Sequence, residues 1–142
     1  MKKLLILFLS VVTSGLLLTS CSDDDESASI NGKWEFYQTG FSFGGQEELE
    51  LYEHSEGCNK DYLEFLGGGV LNDVSYFNNG ESCEELSDQG SWSKNGNTLT
   101  VTYDGETFVA TILTLDSTTL KISISDDTGG VPITVIAVLK RP

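Results

Sequence analysis

The fold is best predicted from residues 90–115, which read GSWSKNGNTLTVTYDGETFVATILTL. Between Thr98 and Tyr103, apolar and polar residues alternate, as they do in a strand that buries one face. Asn95-Gly96 precedes this strand and Asp104-Gly105 follows it, and both dipeptides favour the tight turns of antiparallel hairpins. The stretch therefore predicts three consecutive antiparallel strands.

Short alternating segments separated by Gly and Asn turns occur from Ile30 onward, and no segment shows a sustained helical period. We predict an all-β fold, an antiparallel up-and-down barrel of eight strands that is closed or half open. The predicted strands are 33–38, 61–66, 70–77, 87–94, 98–103, 106–115, 119–125 and 131–139. The connection 39–60 is expected to be a loop with a short helical turn around 46–54.

The composition is strongly acidic. The chain of 142 residues carries 22 acidic and 8 basic side chains, which gives a formal net charge of −14. Such a surface repels DNA, RNA and anionic lipid headgroups, so we exclude nucleic-acid binding. The charge is explained by solubility in a crowded anionic envelope or, alternatively, by attraction of cations, basic peptides or Ca²⁺.

The N-terminus has the layout of a secretory signal. Lys2 and Lys3 precede an apolar stretch over residues 4–18, which is too short for a membrane span, and Thr19-Ser20-Cys21 follows. The segment resembles the signal of bacterial lipoproteins. That resemblance implies that residues 1–20 are removed and that Cys21, the first residue of the mature chain, carries the lipid that attaches the protein to a membrane.

Residues 21–29 are predicted to form a flexible tether, because consecutive acidic side chains repel one another and nothing apolar interrupts them. After Cys21 the tether contains Ser22, Asp23, Asp24, Asp25 and Glu26. A serine and several acids directly after the lipidated cysteine resemble the export signal that sends lipoproteins of some Gram-negative bacteria to the cell surface. This implies a surface-exposed lipoprotein of the outer membrane; the alternatives are a mere spacer and an anchor facing the periplasm.

Two further cysteines, Cys58 and Cys83, remain when Cys21 is lipidated. An exported chain meets an oxidising compartment, where an even pair of cysteines usually forms a cross-link. We therefore predict a structural disulfide between Cys58 and Cys83 in preference to a metal site or a reactive thiol.

Several short motifs occur along the chain, and their order and spacing are informative together. Gly32-Lys33-Trp34 matches the Gly-x-Trp signature of a lipocalin-type first strand, and residues 90–93 with 95–100 form the most specific motif. Residues 61–65 and 117–120 also fit the sequence pattern of that family. Together they resemble the small lipocalin-like domains of bacterial lipoproteins, and the resemblance implies one such β domain over residues 30–142. Larger lipocalins hold apolar ligands in the barrel mouth, whereas the interior of so small a barrel can be filled by its own side chains.

Aromatic side chains are the candidates for a ligand-binding site. Four belong to predicted inward faces and two to the Gly-rich start of the connection 39–60: Trp34, Phe36, Trp92 and Tyr103, with Phe41 and Phe43. The alternative for the inward group, and for Phe108, is packing in the core. The alternative for the loop pair is that the loop folds back over the core.

No catalytic residue, cofactor or metal site is predicted. The chain has a single histidine, His54, and neither a G-x-S-x-G nor an S-x-x-K motif. The acidic segment around it has side chains that suit Ca²⁺ or Zn²⁺ but no recognised ligand spacing: Glu47, Glu48, Glu50, Glu53, His54 and Glu56. We predict that this segment is a solvated acidic surface.

These observations predict a non-enzymatic, lipid-anchored protein of the cell envelope that binds a small apolar ligand or an envelope protein. A second hypothesis is a pocketless structural or accessory module of an outer-membrane assembly. A third is a hydrolase that uses carboxylates. A cavity of several hundred cubic ångströms inside the barrel would favour the first hypothesis over the second.

Overall fold

A computed structural model of the protein describes residues 28–126 and 132–142. They form nine strands: β1 (Gly32–Phe43), β2 (Gln46–Leu51), β3 (Tyr62–Leu66), β4 (Val70–Asn78), β5 (Cys83–Asn95), β6 (Thr98–Tyr103), β7 (Glu106–Leu115), β8 (Thr119–Asp126) and β9 (Ile133–Lys140). Within these two ranges no helix is long and apolar enough to cross a membrane. The predicted signal peptide, Cys21 and the acidic run from Ser22 to Glu26 lie outside the described residues.

The strands form a closed antiparallel barrel with one additional strand. Eight of them, β1 and β3 to β9, follow one another around the barrel, and β1 closes it by pairing with both β3 and β9. The turns at Asn95-Gly96 and Asp104-Gly105 join β5 to β6 and β6 to β7, as their sequences predict. The predicted all-β up-and-down barrel is confirmed.

The connection predicted as a loop with a helical turn contains a strand instead. Residues 38–43 of β1 pair with residues 46–51 of β2, and Gly44 and Gly45, both with positive φ, form the turn between them. Phe41 and Phe43 therefore lie in β1 and not in a loop. The prediction was wrong because pairing with β1 stabilises an acidic segment that has little strand propensity of its own.

Large buried side chains fill one end of the barrel, called here the closed end. They are 0–1% exposed and come from six strands: Trp34, Phe65, Leu71, Leu99, Leu120 and Leu139. The indole N–H of Trp34 donates a hydrogen bond to the carbonyl oxygen of Ile30 at 2.7 Å. The Arg141 guanidinium lies over the Trp34 ring, 4.0 Å from its centroid. These contacts hold the segments before β1 and after β9 across the closed end.

The additional strand β2 pairs with the second half of β1, beyond the residues of β1 that pair with β3. Ile136 and Val138 are almost fully buried, although the alternation of side chains along β9 points them outward. Lys121 pairs with Val138 and so shares this outer face, and its ammonium group contacts the Glu47 carboxylate of β2 at 2.6 Å. Gly40 permits the close approach, because a Cβ there would collide with the backbone of β2.

A disulfide ties the connection between β2 and β3 to the start of β5. Cys58 and Cys83 form it, with their Cα atoms 5.6 Å apart, which confirms the predicted pairing. In the chain-entropy model, a loop of this length stabilises the fold by about 3.5 kcal/mol. The Ser55 hydroxyl adds a hydrogen bond to the carbonyl oxygen of Tyr76 in β4, at 2.7 Å. The connection is thereby held against the β4–β5 hairpin.

Candidate functional site

The end of the barrel opposite the closed end is lined by exposed apolar side chains, and we call it the open end. Seven of these side chains are 45–64% exposed at positions that the strand pairing turns inward: Phe41, Phe43, Phe77, Leu86, Phe108, Ile133 and Val135. Phe41, for example, pairs with Val135, and Val135 lies on the same face of β9 as the core residue Leu139. The barrel is therefore filled from one end only.

Two open pockets lie at the open end. The first has a volume of about 320 Å³ and is lined by Asp73, Asp88, Gln89, Tyr103, Asp104, Glu106 and Phe108. The second has a volume of about 480 Å³ and is lined by Thr39, Gly40, Phe41, Glu48, Glu50, Leu51, Tyr52 and Glu53. Both volumes fall in the range of small-molecule sites, and both walls combine aromatic rings with carboxylates.

Tyr103 forms a wall of the first pocket because a glycine lies beneath it. A Cβ on Gly90 would collide with the Tyr103 ring and with the carbonyl oxygen of Thr102, so only glycine lets the ring lie across the β5 backbone. Burial raises the pKa of the Tyr103 hydroxyl, and the negative charges of Asp73 and Asp88 raise it further. The hydroxyl therefore stays protonated at neutral pH.

Asp73 is close to groups of both pockets. It pairs with a core residue of β3, so its side chain faces the interior. Burial raises the pKa of its carboxyl, and the charges of Asp88 and Asp61 add to this effect. The Asp73 charge in turn raises the pKa of Tyr52 in the second pocket and of Tyr103 in the first.

A hydrogen-bond network fixes Tyr52 beside the second pocket. The buried Asp61 carboxylate accepts from the Tyr52 hydroxyl and from the Tyr76 backbone N–H, each at 2.8 Å. His54 Nδ1 accepts from the Asp61 backbone N–H at 3.0 Å, which leaves Nε2 to donate to the Phe36 carbonyl oxygen at 2.9 Å. Burial and, after it, the hydrogen bond to Asp61 raise the pKa of Tyr52 to about 12.

The six aromatic residues predicted for the ligand-binding site lie at different depths. Trp34 is 0% exposed and belongs to the core, so it has no surface left for a ligand. Three others are half-buried above the core: Phe36, Trp92 and Tyr103. The remaining two, Phe41 and Phe43, are exposed at the open end. Phe108, for which packing in the core was the alternative, is exposed there as well.

The sequence analysis missed the acidic and aliphatic parts of the open end. Asp73 and Asp88 occupy paired inward positions of β4 and β5, and Ile133 and Val135 begin β9. One signal was available. An acidic residue in the otherwise apolar inward row of a strand, such as Asp73 two positions after Leu71, indicates a position that faces a pocket.

The acidic segment around His54 does not have the arrangement of a metal site. Both ring nitrogens of His54 form hydrogen bonds within the protein. Over the part of the chain that the structure describes, no group of three or more histidine, cysteine or acidic side chains converges to hold an ion.

The barrel, with one end filled and the other open, defines a protein of the lipocalin type. The family model described as a lipocalin-like domain matches residues 26–122. The chain belongs to this family of lipocalin-like domains. No curated protein sequence matches it.

Solved structures resemble the chain at low identity. Apocrustacyanin C2 is 16% identical, with a TM-score of 0.51, and the match covers 84% of this chain and 64% of that one. Lobster apocrustacyanin A1 is 16% identical over 84% of this chain and 63% of its own, with a TM-score of 0.48. Bovine odorant-binding protein in complex with undecanal is 12% identical over 78% and 70%, with a TM-score of 0.44.

The hydrogen bond between Tyr52 and Asp61 is expected to contribute to stability. In Tyr52→Phe, one oxygen of the buried Asp61 carboxylate loses its donor, which costs about 1–3 kcal/mol in the free energy of unfolding. The wild type should also lose stability between pH 10 and about 12, where Tyr52 is ionised in the unfolded chain but protonated in the folded one. Urea denaturation across this pH range measures both effects.

Tyr76→Phe is the matched control, because the Tyr76 hydroxyl bonds Glu85 at the surface. This variant should change the free energy of unfolding by less than about 0.5 kcal/mol. Equal stability of Tyr52→Phe and the wild type at neutral pH, with identical alkaline profiles, would contradict the role given to the network.

Proposed function

We propose that this protein binds a small apolar molecule at the open end of its barrel and catalyses no reaction. The observation that carries the proposal is the set of seven apolar side chains that face inward there and remain exposed. Exposed apolar side chains gathered at one end of a domain mark a binding site, because leaving them in water is unfavourable. Membership of the lipocalin-like family supports the same reading.

The two other hypotheses fit the geometry less well. A pocketless module would have an interior filled by its own side chains, whereas pockets of about 320 and 480 Å³ lie at the open end. A hydrolase using carboxylates would need two of them on either side of a scissile bond, one as general acid and one as base or nucleophile, whereas the feature that distinguishes the open end is its exposed apolar surface. The single histidine, His54, is engaged through both ring nitrogens in the hydrogen bonds that support Tyr52 and Asp61.

The proposal extends to the location of the protein. We propose that Cys21 is lipidated, that residues 21–29 form a tether, and that the acidic run after Cys21 directs the protein to the outer surface of an outer membrane. The described chain enters the barrel at the closed end, where Ile30 is buried and the Arg141 guanidinium donates to the Ser29 carbonyl oxygen at 2.6 Å. An anchor at Cys21 would therefore be attached to the closed end of the barrel, opposite the open end.

Binding at the open end is tested with N-phenyl-1-naphthylamine, an uncharged probe whose fluorescence rises in apolar surroundings. The wild type is expected to bind it at one site. Phe108→Ala should weaken binding about five- to twentyfold, because the probe loses an aromatic contact of about 1–2 kcal/mol. Fluorescence titration gives the dissociation constants.

Val109→Ala is the control for this experiment. Val109 is 57% exposed and is the neighbour of Phe108 in β7, but it points to the outside of the barrel. Its substitution should leave the affinity unchanged. Absence of probe binding by the wild type, or equal weakening by both substitutions, would refute the proposed site.

The lipid anchor is tested by growing the producing bacteria with radiolabelled palmitate. The wild type should incorporate the label and Cys21→Ser should not, because the thiol is the point of attachment in the lipoprotein signal that the N-terminus resembles. The double variant Cys58→Ser/Cys83→Ser is the control and should stay labelled. A labelled Cys21→Ser protein, or an unlabelled wild type, would contradict the anchor.

A further inference from the structure

The carboxylates at the open end face the same space as the apolar side chains. The first pocket contains four of them and the second three more: Asp73, Asp88, Asp104 and Glu106, and Glu48, Glu50 and Glu53. No lysine or arginine of the described residues lines either pocket. The apolar open end is the proposed ligand-binding site, and these carboxylates restrict the charge that the ligand can carry.

The strand register shows that the central carboxylates point into the barrel. Asp73 pairs with Leu63, which belongs to the core, and also with Asp88 on the other side. Glu106 pairs with Tyr103, which packs against the core. Because directly paired residues share a face of the sheet, all three acidic side chains lie on the inner face.

Asp73 and Asp88 are placed unfavourably in the absence of an opposite charge. Among the residues that the structure describes, neither carboxylate forms an ion pair. Burial and the neighbouring charges of Asp88 and Asp61 raise the pKa of the Asp73 carboxyl, so its ionised form costs stability at neutral pH. A cation bound between the two carboxylates would remove this repulsion.

Aromatic rings stand beside these carboxylates. Tyr103 and Phe108 line the same pocket as Asp73 and Asp88. Aromatic faces attract ammonium and guanidinium groups, and the attraction is greater where water is partly excluded. Carboxylates and ring faces on one wall suit a cationic group, whereas the exposed side chains of Phe41, Val135 and their neighbours suit an apolar body.

We propose that the open end binds an amphipathic cation, a molecule with an apolar body and an ammonium or guanidinium group. The apolar body packs against the exposed inward side chains, and the cationic group lies at Asp73 and Asp88 beside Tyr103. This inference rests on the proposed function and adds the charge of the ligand. A carboxylate or phosphate ligand of the same length is disfavoured by the charges of the pocket and of the whole chain, which is −14.

Three probes of equal chain length separate the charge of the ligand from its apolar body: decylamine, 1-decanol and decanoate. At pH 7 decylamine is protonated and decanoate is ionised. Each probe competes with bound N-phenyl-1-naphthylamine below the concentration at which it self-associates. Decylamine is expected to displace the naphthylamine at a concentration about tenfold lower than 1-decanol, and decanoate is expected to be the weakest competitor.

Asp73→Asn/Asp88→Asn should reduce the preference for decylamine over 1-decanol to about twofold or less, because only the charged interaction is lost. Glu64→Gln/Glu85→Gln is the matched control, since it also removes two negative charges, at positions of β3 and β5 that point to the outside of the barrel. This control should keep the full preference. Circular dichroism verifies folding. If Asp73→Asn/Asp88→Asn is unfolded, Glu106→Gln replaces it and Glu64→Gln alone is its control.

The outcomes distinguish the two proposals. Equal displacement by decylamine and 1-decanol would overturn the amphipathic cation and leave apolar binding standing. An equal loss of preference in Glu64→Gln/Glu85→Gln and in Asp73→Asn/Asp88→Asn would also overturn it, because the effect would then come from net charge alone. Displacement by none of the three probes, with no binding of the naphthylamine itself, would refute the proposed function and this inference together.

Discussion

The pairing of β1 with β9 is the constraint on which the rest of the structure depends. It closes the barrel, and closure decides which alternate side chains of every strand share an interior. Inward side chains are fully buried only towards the closed end, around Trp34. At the other end the inward positions hold side chains that remain in contact with water. The two ends therefore differ because barrel closure fixes which residues face inward, and these residues are buried at one end and exposed at the other.

The open end combines two features that reduce the stability of the fold when no ligand is bound. Seven apolar side chains stay exposed there, and Asp73 is partly buried beside Asp88 with no ion-pair partner among the described residues. By contrast, the buried Asp61 is fully engaged, with hydrogen bonds from Tyr52 and from the backbone of Tyr76. Unpaired charge and exposed apolar surface at the same end of the barrel are the features from which we propose a ligand that satisfies both.

Local signals in the sequence were sufficient for much of the fold. The Asn-Gly and Asp-Gly turns and the alternation in β6 predicted the central hairpins, and the even cysteine pair predicted the Cys58–Cys83 disulfide. The strand β2 could not be predicted, because its acidic residues gain strand structure only through pairing with β1. The open end could be predicted only in part, since Phe41 and Phe43 were candidate ligand-binding residues but were assigned to a loop. Phe41 and Val135 become neighbours only when the two ends of the chain close the barrel, and no local pattern specifies that register.

The central claim is that the open end, and no other surface, takes up an apolar molecule. Amide chemical-shift mapping by ¹H–¹⁵N NMR during titration with N-phenyl-1-naphthylamine tests it most directly. The account predicts that the shifted amides cluster in residues 41–43, 103–108 and 133–135, with the amides around Trp34 unchanged. Shifts concentrated at the closed end or on the outer face near β2, or no saturable shifts at all, would contradict it.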